Sequence, residues 1–201
     1  MISSLILAGG QSSRLGIDKA FLEINGQILI ERTVAKMAQL CQEVIIVTDF
    51  PEKFTHLEAR LVSDIYPGKG ALGGIYSGLK AACHHHSLVV ACDMPFLNFD
   101  LLHFIIDLAP EQDVVIPRVN GLLEPLHAIY SKNCLGPIEE LLARGGRKII
   151  DFFPKVRVRY VEEDVVNRFD PQHFTFININ TPADLERVKR LASLKSQQFQ
   201  P

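Results

Sequence analysis

The sequence lacks the features that mark nucleic-acid-binding, membrane-spanning and secreted proteins. Its 21 lysines and arginines stand against 23 aspartates and glutamates, a formal net charge of -2, and this balance provides no basic surface for nucleic acid. Its apolar runs are of strand length and too short to span a bilayer. No basic segment precedes the first apolar run, as it would in a secretory signal peptide. We therefore expect a cytoplasmic protein with neither nucleic acid nor a membrane as partner.

No Cys-x-x-Cys motif is present, and the four cysteines are far apart in the chain: Cys41, Cys83, Cys92 and Cys134. Such spacing indicates reduced, mostly buried thiols. Cys92 ends an apolar run, so we place it in the core. Three histidines are adjacent at 84–86 and cannot all face one metal ion, so a polar turn is the favoured interpretation.

The body of the chain contains no linker, repeat or low-complexity tract. A length of 201 residues, with 47% hydrophobic and 22% charged residues, is typical of one globular domain. We assign residues 1–193 to this domain and expect the polar segment 194–201 to be a frayed tail.

Apolar runs of strand length alternate with segments whose apolar residues recur at helical spacing. The predicted strands lie at residues 2–7, 43–48, 60–63, 88–92, 114–116, 126–130, 156–161 and 174–177. The predicted helices lie near residues 30–40, 72–79, 101–108, 138–144 and from 182 onward. Thr181 is the expected N-cap of the last helix. The alternation predicts an α/β fold whose mostly parallel sheet is covered by helices on both faces.

The first strand runs into a loop rich in glycine and serine, Ala8-Gly9-Gly10-Gln11-Ser12-Ser13-Arg14-Leu15-Gly16-Ile17-Asp18-Lys19. The loop has neither the Walker A spacing nor the Gly-x-Gly-x-x-Gly fingerprint of dinucleotide sites. Small residues let a ligand approach main-chain amides, and these amides can hold phosphate oxygens. Arg14 and Lys19 would neutralise the remaining charge. The pattern indicates a nucleoside triphosphate site, with a plain flexible connection as the alternative.

This loop resembles the signature loop of the nucleotidyltransferases with a Rossmann-like, sugar-nucleotide-transferase-type fold. Within that group, Leu7-Ala8-Gly9-Gly10 resembles the molybdenum cofactor guanylyltransferases. Leu15 departs from the family pattern, which often has Met there, but the exchange conserves volume. The resemblance implies a three-layer α/β/α fold in which Leu7, Ala8, Gly9 and Gly10 contact the guanine nucleotide.

Two aspartates follow predicted strands. Asp93 precedes Met94-Pro95, and because the proline ends the strand ladder, Asp93 is expected at the carboxyl edge of the sheet, where ligands of such folds bind. Its segment resembles the metal-binding strand end of the family, which implies that Asp93 holds Mg²⁺; a helix cap is the alternative. Asp64 resembles the family's nucleotide-contacting aspartate, with a solvated turn as the alternative.

The family also has an asparagine near the end of its second strand that contacts the nucleotide. The matching stretch here is Val47-Thr48-Asp49 and contains no asparagine. Thr48 or Asp49 substitutes for it, or the contact is lost, and the sequence leaves these three alternatives open.

Two later segments resemble the acceptor side of the family. One is residues 123–130; the other is Asn178-Ile179-Asn180-Thr181-Pro182. Asn178 and Asn180 lie just before a helix N-terminus, where polar groups and the helix dipole suit a pterin phosphate. Capping of the turn alone is the alternative for both. His127 is interpreted as a hydrogen-bonded structural histidine rather than a catalytic base.

The resemblance implies transfer of GMP from GTP to the terminal phosphate of molybdopterin, or Mo-molybdopterin, with release of pyrophosphate. Arg14, Lys19 and Asp93 are the expected catalytic residues, and Mg²⁺ the expected cofactor. Residues 1–118 are expected to bind GTP and residues 119–193 the pterin. Assembly proteins and acceptor molybdoenzymes are expected further partners, and the chain is expected to be a monomer or weak homo-oligomer.

Two alternatives stand beside this hypothesis. One is another nucleotidyltransferase of the same fold, which uses CTP with the same pterin or GTP with a different phosphorylated acceptor. The other is a non-catalytic GTP-binding regulator of cofactor assembly. Lys19 together with Asp93 favours an enzyme, because binding alone does not require a metal beside the α-phosphate.

Overall fold

The computed structural model describes residues 1–9 and 18–198, with side chains up to residue 194. Gly10 and Arg14, two of the expected ligand contacts, lie outside the described residues. Within the described residues there are ten strands and six α-helices. No helix among them is long and apolar enough to cross a membrane.

The strands are β1 Ser3–Leu7, β2 Glu23–Ile24, β3 Gln27–Ile28, β4 Glu43–Val47, β5 Arg60–Val62, β6 His86–Ala91, β7 Val114–Val119, β8 Leu122–Leu123, β9 His127–Ser131 and β10 Val158–Val161. The α-helices are α1 Leu29–Leu40, α2 Ala71–Ala81, α3 Phe99–Asp107, α4 Leu135–Ala143, α5 Glu163–Val166 and α6 Pro182–Gln198. Short 3-10 helices include Lys19–Phe21 and Pro51–Phe54.

One mixed sheet organises the molecule, in the order β10-β7-β9-β6-β1-β4-β5, with β8 paired to β7. The pairs β5–β4, β4–β1, β1–β6 and β7–β10 are parallel. Strand β9 lies antiparallel to both β6 and β7. The carboxyl ends of β5, β4, β1 and β6 therefore meet at one edge of the sheet, as the sequence predicts for ligand-binding strands.

Side chains of the central strands alternate between two apolar layers because successive strand residues point to opposite faces. Ile6 of β1 packs with the layer beneath α1 and α3, whereas Leu5 and Leu7 pack beneath α2 and α4. All three side chains are buried. The three-layer arrangement with a mostly parallel central sheet confirms the predicted fold class.

Helix α2 lies close to the sheet because of Gly78. A Cβ atom built there would stand 2.7 Å from Leu5 Cδ1 and 3.1 Å from Val47 Cγ2. Any larger residue would therefore push the helix away from β1 and β4. The N-terminus of α2, preceded by Gly70 with a φ of 65°, is thereby held beside the carboxyl edge.

Three sequence predictions need correction. Residues 174–176 form a 3-10 helix rather than a strand, because the Thr175 amide donates to Asp170 and its hydroxyl accepts the Asn98 N–H, which leaves no strand partner. Cys92 lies just after β6 rather than inside the strand, and it packs against the core without being fully buried. Helix α6 continues to Gln198, past the start of the expected frayed tail.

Candidate active site

A cavity of about 480 Å³ opens at the carboxyl edge of β5, β4, β1 and β6. Its lining comes from the turns that follow these four strands, from the start of α2 and from one residue before β9. The lining residues are Leu7, Ala8, Gly9, Asp18, Lys19, Val47, Thr48, Asp49, Phe50, Asp64, Gly68, Gly70, Ala71, Gly74, Ala91, Cys92, Asp93 and Leu126.

Lys19 joins three distant parts of the chain at one end of this cavity. Its Nζ lies 3.0 Å from Asp93 Oδ2 and 2.6 Å from Asn180 Oδ1. The Lys19 and Asp93 side chains are 22% and 15% exposed, so the pair is partly shielded from water. An ammonium has three donors, and these two bonds leave one N–H for a ligand oxygen.

Asp93 is held from the main-chain side as well. Its carbonyl accepts a hydrogen bond from the Ile179 N–H at 3.1 Å, which ties the end of β6 to the segment before α6. Among the described residues, Asp93 Oδ1 has no hydrogen-bond partner, whereas Oδ2 accepts from Lys19. One carboxylate oxygen is thus available at the edge of the cavity.

The neighbouring Cys92 is not a nucleophile. Burial raises the pKa of its thiol to about 12, with a further contribution from the negative charge of Asp93. The group therefore stays a neutral thiol at physiological pH, and thiolate chemistry is excluded.

A second ion pair forms another part of the wall. Asp18 Oδ2 accepts from Lys53 Nζ at 3.0 Å, and the same ammonium lies 4.7 Å from the ring centroid of Phe50. Asp18 Oδ1 also accepts from the Ala20 N–H, capping the short helix that carries Lys19. Phe50 is 51% exposed although it lines the cavity. Lys53 and Phe50 were not identified from the sequence, which gives no local signal for them.

Asp64 is fixed where β5 turns toward α2. Its Oδ1 accepts the Tyr66 N–H at 2.9 Å and lies 2.8 Å from the Ser77 hydroxyl. The carboxylate is therefore oriented by the turn and by α2, and its other oxygen has no hydrogen bond to the described residues. Asp64 reaches the cavity as expected, although the contact with Ser77 had no signature in the sequence.

The main chain after β1 is only partly free to meet a ligand. The Ala8 N–H donates to the Val47 carbonyl at 2.9 Å, and the Leu7 carbonyl accepts from the Cys92 N–H at 3.2 Å. The Ala8 carbonyl and the Gly9 amide have no hydrogen bond to the described residues. These two groups, rather than the whole stretch, are the ones available to a base or phosphate.

The two asparagines expected to act together are separated in the structure. Asn180 binds Lys19, whereas Asn178 Nδ2 donates to the Phe176 carbonyl at 3.4 Å and its Oδ1 is buried without a partner among the described residues. Asp184 Oδ2 accepts the Asn180 and Thr181 N–H groups at 3.0 and 2.8 Å. The start of α6 is thus already neutralised by a carboxylate and is a poorer anion site than the sequence indicates.

His127 is buried, as predicted, but the prediction of a hydrogen-bonded ring is wrong for the described residues. Neither ring nitrogen has a partner there, and the ring packs edge-on against Phe176 with centroids 5.0 Å apart. Burial lowers the pKa of His127 to about 3, with Lys36 adding to the effect. The ring is therefore neutral at physiological pH.

Nearby, burial raises the pKa of Glu124 to about 7.

The donors at the edge suit a magnesium ion bound together with a phosphate ligand. Mg²⁺ prefers one or two carboxylates plus phosphate oxygens and water, and Asp93 Oδ1 is an available oxygen beside a cationic Lys19. The described residues hold no group of three or more His, Cys, Asp or Glu that could hold a metal. Asp93 thus fits a metal shared with a ligand better than a site built by protein alone.

Comparison with known proteins agrees with this geometry. The MobA-like NTP transferase domain model matches residues 4–165. A probable molybdenum cofactor guanylyltransferase of Pelotomaculum thermopropionicum is 40% identical over 190 residues, covering 94% of this chain and 93% of the relative. The molybdenum cofactor guanylyltransferase of Desulfosudis oleivorans is 36% identical, covering 94% of each chain.

A solved structure shows the same architecture. The crystal structure of molybdopterin-guanine dinucleotide biosynthesis protein A from Archaeoglobus fulgidus superposes with a TM-score of 0.84 at 28% identity. The superposition covers 96% of this chain and all of the other. The fold of this chain is therefore that of a known group of proteins.

Proposed function

The chain belongs to the MobA-like NTP transferase family, and we propose that it transfers GMP from GTP to the terminal phosphate of molybdopterin, releasing pyrophosphate. It is a nucleotidyltransferase, and the guanylyltransferase names of its relatives favour this reaction over the CTP-dependent and non-catalytic alternatives. The observation that carries the proposal is the junction of Lys19, Asp93 and Asn180 at one end of the cavity.

The chemistry is an in-line displacement at the α-phosphorus. An oxygen of the pterin phosphate forms the new P–O bond, and the bond to the bridging α–β oxygen breaks, so that pyrophosphate leaves with its electron pair. Such reactions depend on positioning and charge neutralisation rather than on a protein nucleophile. The remaining N–H of Lys19 would donate to a phosphate oxygen, and Asn180 would keep that ammonium in place.

Asp93 would hold Mg²⁺ through its available oxygen. When bound, the ion would supply positive charge that offsets the negative charge of the phosphates. Arg14, from the loop outside the described residues, is proposed to neutralise the triphosphate together with Lys19. Gly10 of the same loop, with Ala8 and Gly9, is proposed to contribute main-chain groups to the nucleotide.

The positions of the lining residues support a division of labour along the chain. Apart from Leu126, the lining comes from residues between Leu7 and Asp93, within the part proposed to bind GTP, about 1–118. The segment that contains Ile179 and Asn180 meets the cavity beside Asp93. The pterin phosphate would therefore approach the α-phosphate from the part formed by residues 119–193.

The test is a single assay of purified protein with Mg²⁺, GTP and molybdopterin, in which pyrophosphate release is measured. We expect pterin-dependent release with GTP and little with CTP or ATP. A Lys19→Met variant should lose the activity, while Lys189→Met, which removes an exposed lysine on α6, should retain it. GTP binding without pyrophosphate release for any pterin acceptor would contradict the proposed reaction.

A further inference from the structure

We propose that Glu124 recognises the ring of the pterin acceptor, by accepting hydrogen bonds from the N3–H and 2-amino groups of its aminopyrimidinone. This inference deepens the proposed function and rests on it. The proposed reaction accounts for the phosphate of the acceptor, whereas Glu124 would account for the choice of the ring system that carries this phosphate.

Glu124 lies at the same edge of the sheet as the candidate active site. Strand β9 is antiparallel to both β6 and β7, so the carboxyl ends of β6 and β7 share this edge. The Glu124 N–H donates to the Pro117 carbonyl of β7 at 3.0 Å, and the Glu124 carbonyl accepts the His127 N–H, where β9 begins, at 3.0 Å. Two residues further on, Leu126 lines the cavity. Glu124 is therefore next to the cavity lining, on the far side of β6 from β1 and β4.

The carboxylate of Glu124 is half-buried, and it has neither a hydrogen bond nor an ion pair within the described part of the chain. Burial raises the pKa of this carboxyl to about 7, and no charged side chain offsets the effect. A carboxylate in this state is costly for the free protein. A group of this kind beside a cavity is typical of a ligand-binding site, because donors of the ligand would restore the charged form.

Two neighbouring carboxylates near the end of β7 already have partners. Glu162 accepts from the Arg118 guanidinium at 3.0 Å, and Glu163 Oε2 accepts the Asn120 N–H at 2.8 Å. These two contacts hold the β7–β8 hairpin to the end of β10 and to α5. Compared with these acids, Glu124 is the one whose oxygens remain available to a ligand.

The position of Glu124 suits a ligand whose phosphate lies at the junction of Lys19, Asp93 and Asn180. Strands β9 and β7 come after β6 in the sheet, which puts Glu124 roughly 5–10 Å beyond the strand that ends at Asp93. Neither Lys19 nor Asp93 contributes to the raised pKa of Glu124, so its carboxylate is separate from the metal and phosphate end. In molybdopterin, the phosphate and the aminopyrimidinone stand at opposite ends of a fused ring system, so one end can occupy the junction while the other reaches Glu124.

The donors of a pterin match a single carboxylate. Its N3–H and 2-amino groups are adjacent and point the same way, so they can donate to both oxygens of Glu124 in two parallel charge-assisted bonds. A lumazine has a carbonyl in place of the 2-amino group. That carbonyl would set one acceptor against another, so a lumazine should bind poorly. Guanine has the same two donors as a pterin, and GTP binding must therefore be measured as well.

The test measures the dissociation constants of two probes, the phosphate esters of hydroxymethylpterin and of hydroxymethyllumazine, for the wild type, Glu124→Gln and Glu124→Ala. The wild type should bind the pterin ester about tenfold or more tightly than the lumazine ester. Glu124→Gln should reverse this order, because its amide can accept N3–H and donate to the 2-carbonyl of lumazine. Glu124→Ala should abolish the difference between the two esters.

Steady-state kinetics with molybdopterin as the varied substrate separate binding from chemistry. Glu124→Gln should raise the KM for molybdopterin about tenfold and leave kcat nearly unchanged, because the contact is remote from the reacting phosphorus. The Kd of GTP should keep its wild-type value. Glu58→Gln neutralises an exposed glutamate just before β5, at the opposite edge of the sheet, and should change none of these values.

Thermal melts show whether the variants fold. Both Glu124 variants should melt at or above the wild-type temperature, since each removes a half-buried carboxylate that has no partner among the described residues. A changed ester preference in a variant with an intact fold therefore reports on recognition of the ring.

No binding of either ester by the wild type, equal binding of both, or an unchanged preference in the two variants would overturn the assignment. A loss of GTP affinity as large as the loss of pterin affinity would also overturn it and would place Glu124 at the nucleotide. A pterin preference that depends on Glu124, without pyrophosphate release from GTP, would support the inference while defeating the proposed reaction. Pterin-dependent pyrophosphate release that Glu124→Gln leaves unchanged would do the reverse.

Discussion

At the scale of single residues, the candidate site has few polar atoms that are still available to a ligand. Among the described residues, Lys19 keeps one donor after its bonds to Asp93 and Asn180 are counted, and Asp93 keeps one carboxylate oxygen without a hydrogen bond. Both are anchored by the segment before α6, through Asn180 and Ile179. A ligand bound as proposed would therefore complete a preformed polar network rather than build one.

Asp93→Ala should abolish turnover if Asp93 holds the metal as proposed, because no other described carboxylate directly follows β6. We expect a loss in kcat of at least about 100-fold, with weaker GTP binding that arises mainly from the lost ion. Steady-state pyrophosphate release over a range of Mg²⁺ concentrations measures both effects. Normal turnover of this variant with Mg²⁺ would remove Asp93 from the mechanism.

Lys19→Met should lower kcat/KM about 100-fold by removing the cation that we propose to face the phosphates. Asn180→Ala, which removes an anchor of that cation, should lower it less. Kinetics of the two variants and of the double variant give the coupling between them. If the two losses simply add, Asn180 does not act through Lys19.

His127 should make the protein less stable in mild acid. Its pKa lies near 3 in the folded state and near 6.5 when unfolded, so below pH 6.5 the unfolded chain binds more protons, and stability falls as the pH falls. The loss is about 2 kcal/mol between pH 7 and pH 5. Urea unfolding of the wild type and His127→Leu at both pH values measures it.

Between pH 7 and pH 5, the free energy of unfolding of His127→Leu should fall by about 2 kcal/mol less than that of the wild type. It should also be at least as stable at pH 7, because an apolar side chain replaces two buried unpaired nitrogens. His56→Gln removes an exposed histidine and serves as the control. Identical pH dependence in the wild type and His127→Leu would contradict the burial of a neutral imidazole.

At the scale of elements, the close approach of α2 to the sheet sets the floor of the cavity. Gly74 lines the cavity, and one turn later Gly78 allows contact with Leu5 and Val47. The same helix fixes Asp64 through Ser77. The packing of α2 against the sheet thus also determines the position of the Asp64 carboxylate, because Ser77 of this helix binds it.

Gly78→Ala should destabilise the protein by about 1–3 kcal/mol, since its Cβ would stand 2.7 Å from Leu5 Cδ1 in a filled core. Gly136→Ala is the matched control, because it lies in α4 with nothing within 4 Å of the added carbon. That change should stabilise by about 0.5–1 kcal/mol. Denaturant unfolding measures both, and equal signs would contradict the packing described for α2.

The elements differ in how far local sequence determined them. Strand β1 could be predicted from its apolar run. The position of Asp93 could be predicted because Pro95 ends the strand before it, which places Asp93 at the carboxyl edge of the sheet. The antiparallel direction of β9 could not, since alternation within residues 126–130 carries no information about direction. Residues 174–176 alternate like a strand, but Asp170 and Asn98 hold Thr175 in a different conformation.

The contacts of the site also divide into those that local sequence predicts and those that it does not. Lys19, Asp64 and Asp93 each belong to a short continuous motif that can be recognised in the sequence. The structure brings all three residues to one cavity. Two partners were beyond prediction: Lys53 reaches Asp18 across 35 positions, and Asn180 reaches Lys19 across 161. Such contacts follow from the course of the whole chain, which short motifs do not encode.

At the scale of the whole molecule, the cavity joins both halves of the chain, so a bound nucleotide should stabilise the entire fold. With Mg²⁺ and GTP at a hundredfold excess over Kd, the gain is about 2.7 kcal/mol, or roughly 5–10 °C in Tm. Thermal melts with and without EDTA measure the metal contribution. The shift should shrink on chelation and be smaller still in Lys19→Met; a shift unaffected by either would place the nucleotide elsewhere.

The contact between Lys19 and Asn180 also has a consequence for synthesis. A ribosome must add 161 residues after Lys19 before this lysine can meet Asn180. A copy shortened by a premature stop codon retains the glycine-rich loop but has lost the anchor that orients its cation. Copies that stop before Asn180 therefore lack the complete junction of Lys19, Asp93 and Asn180, and only copies that extend past Asn180 can form it.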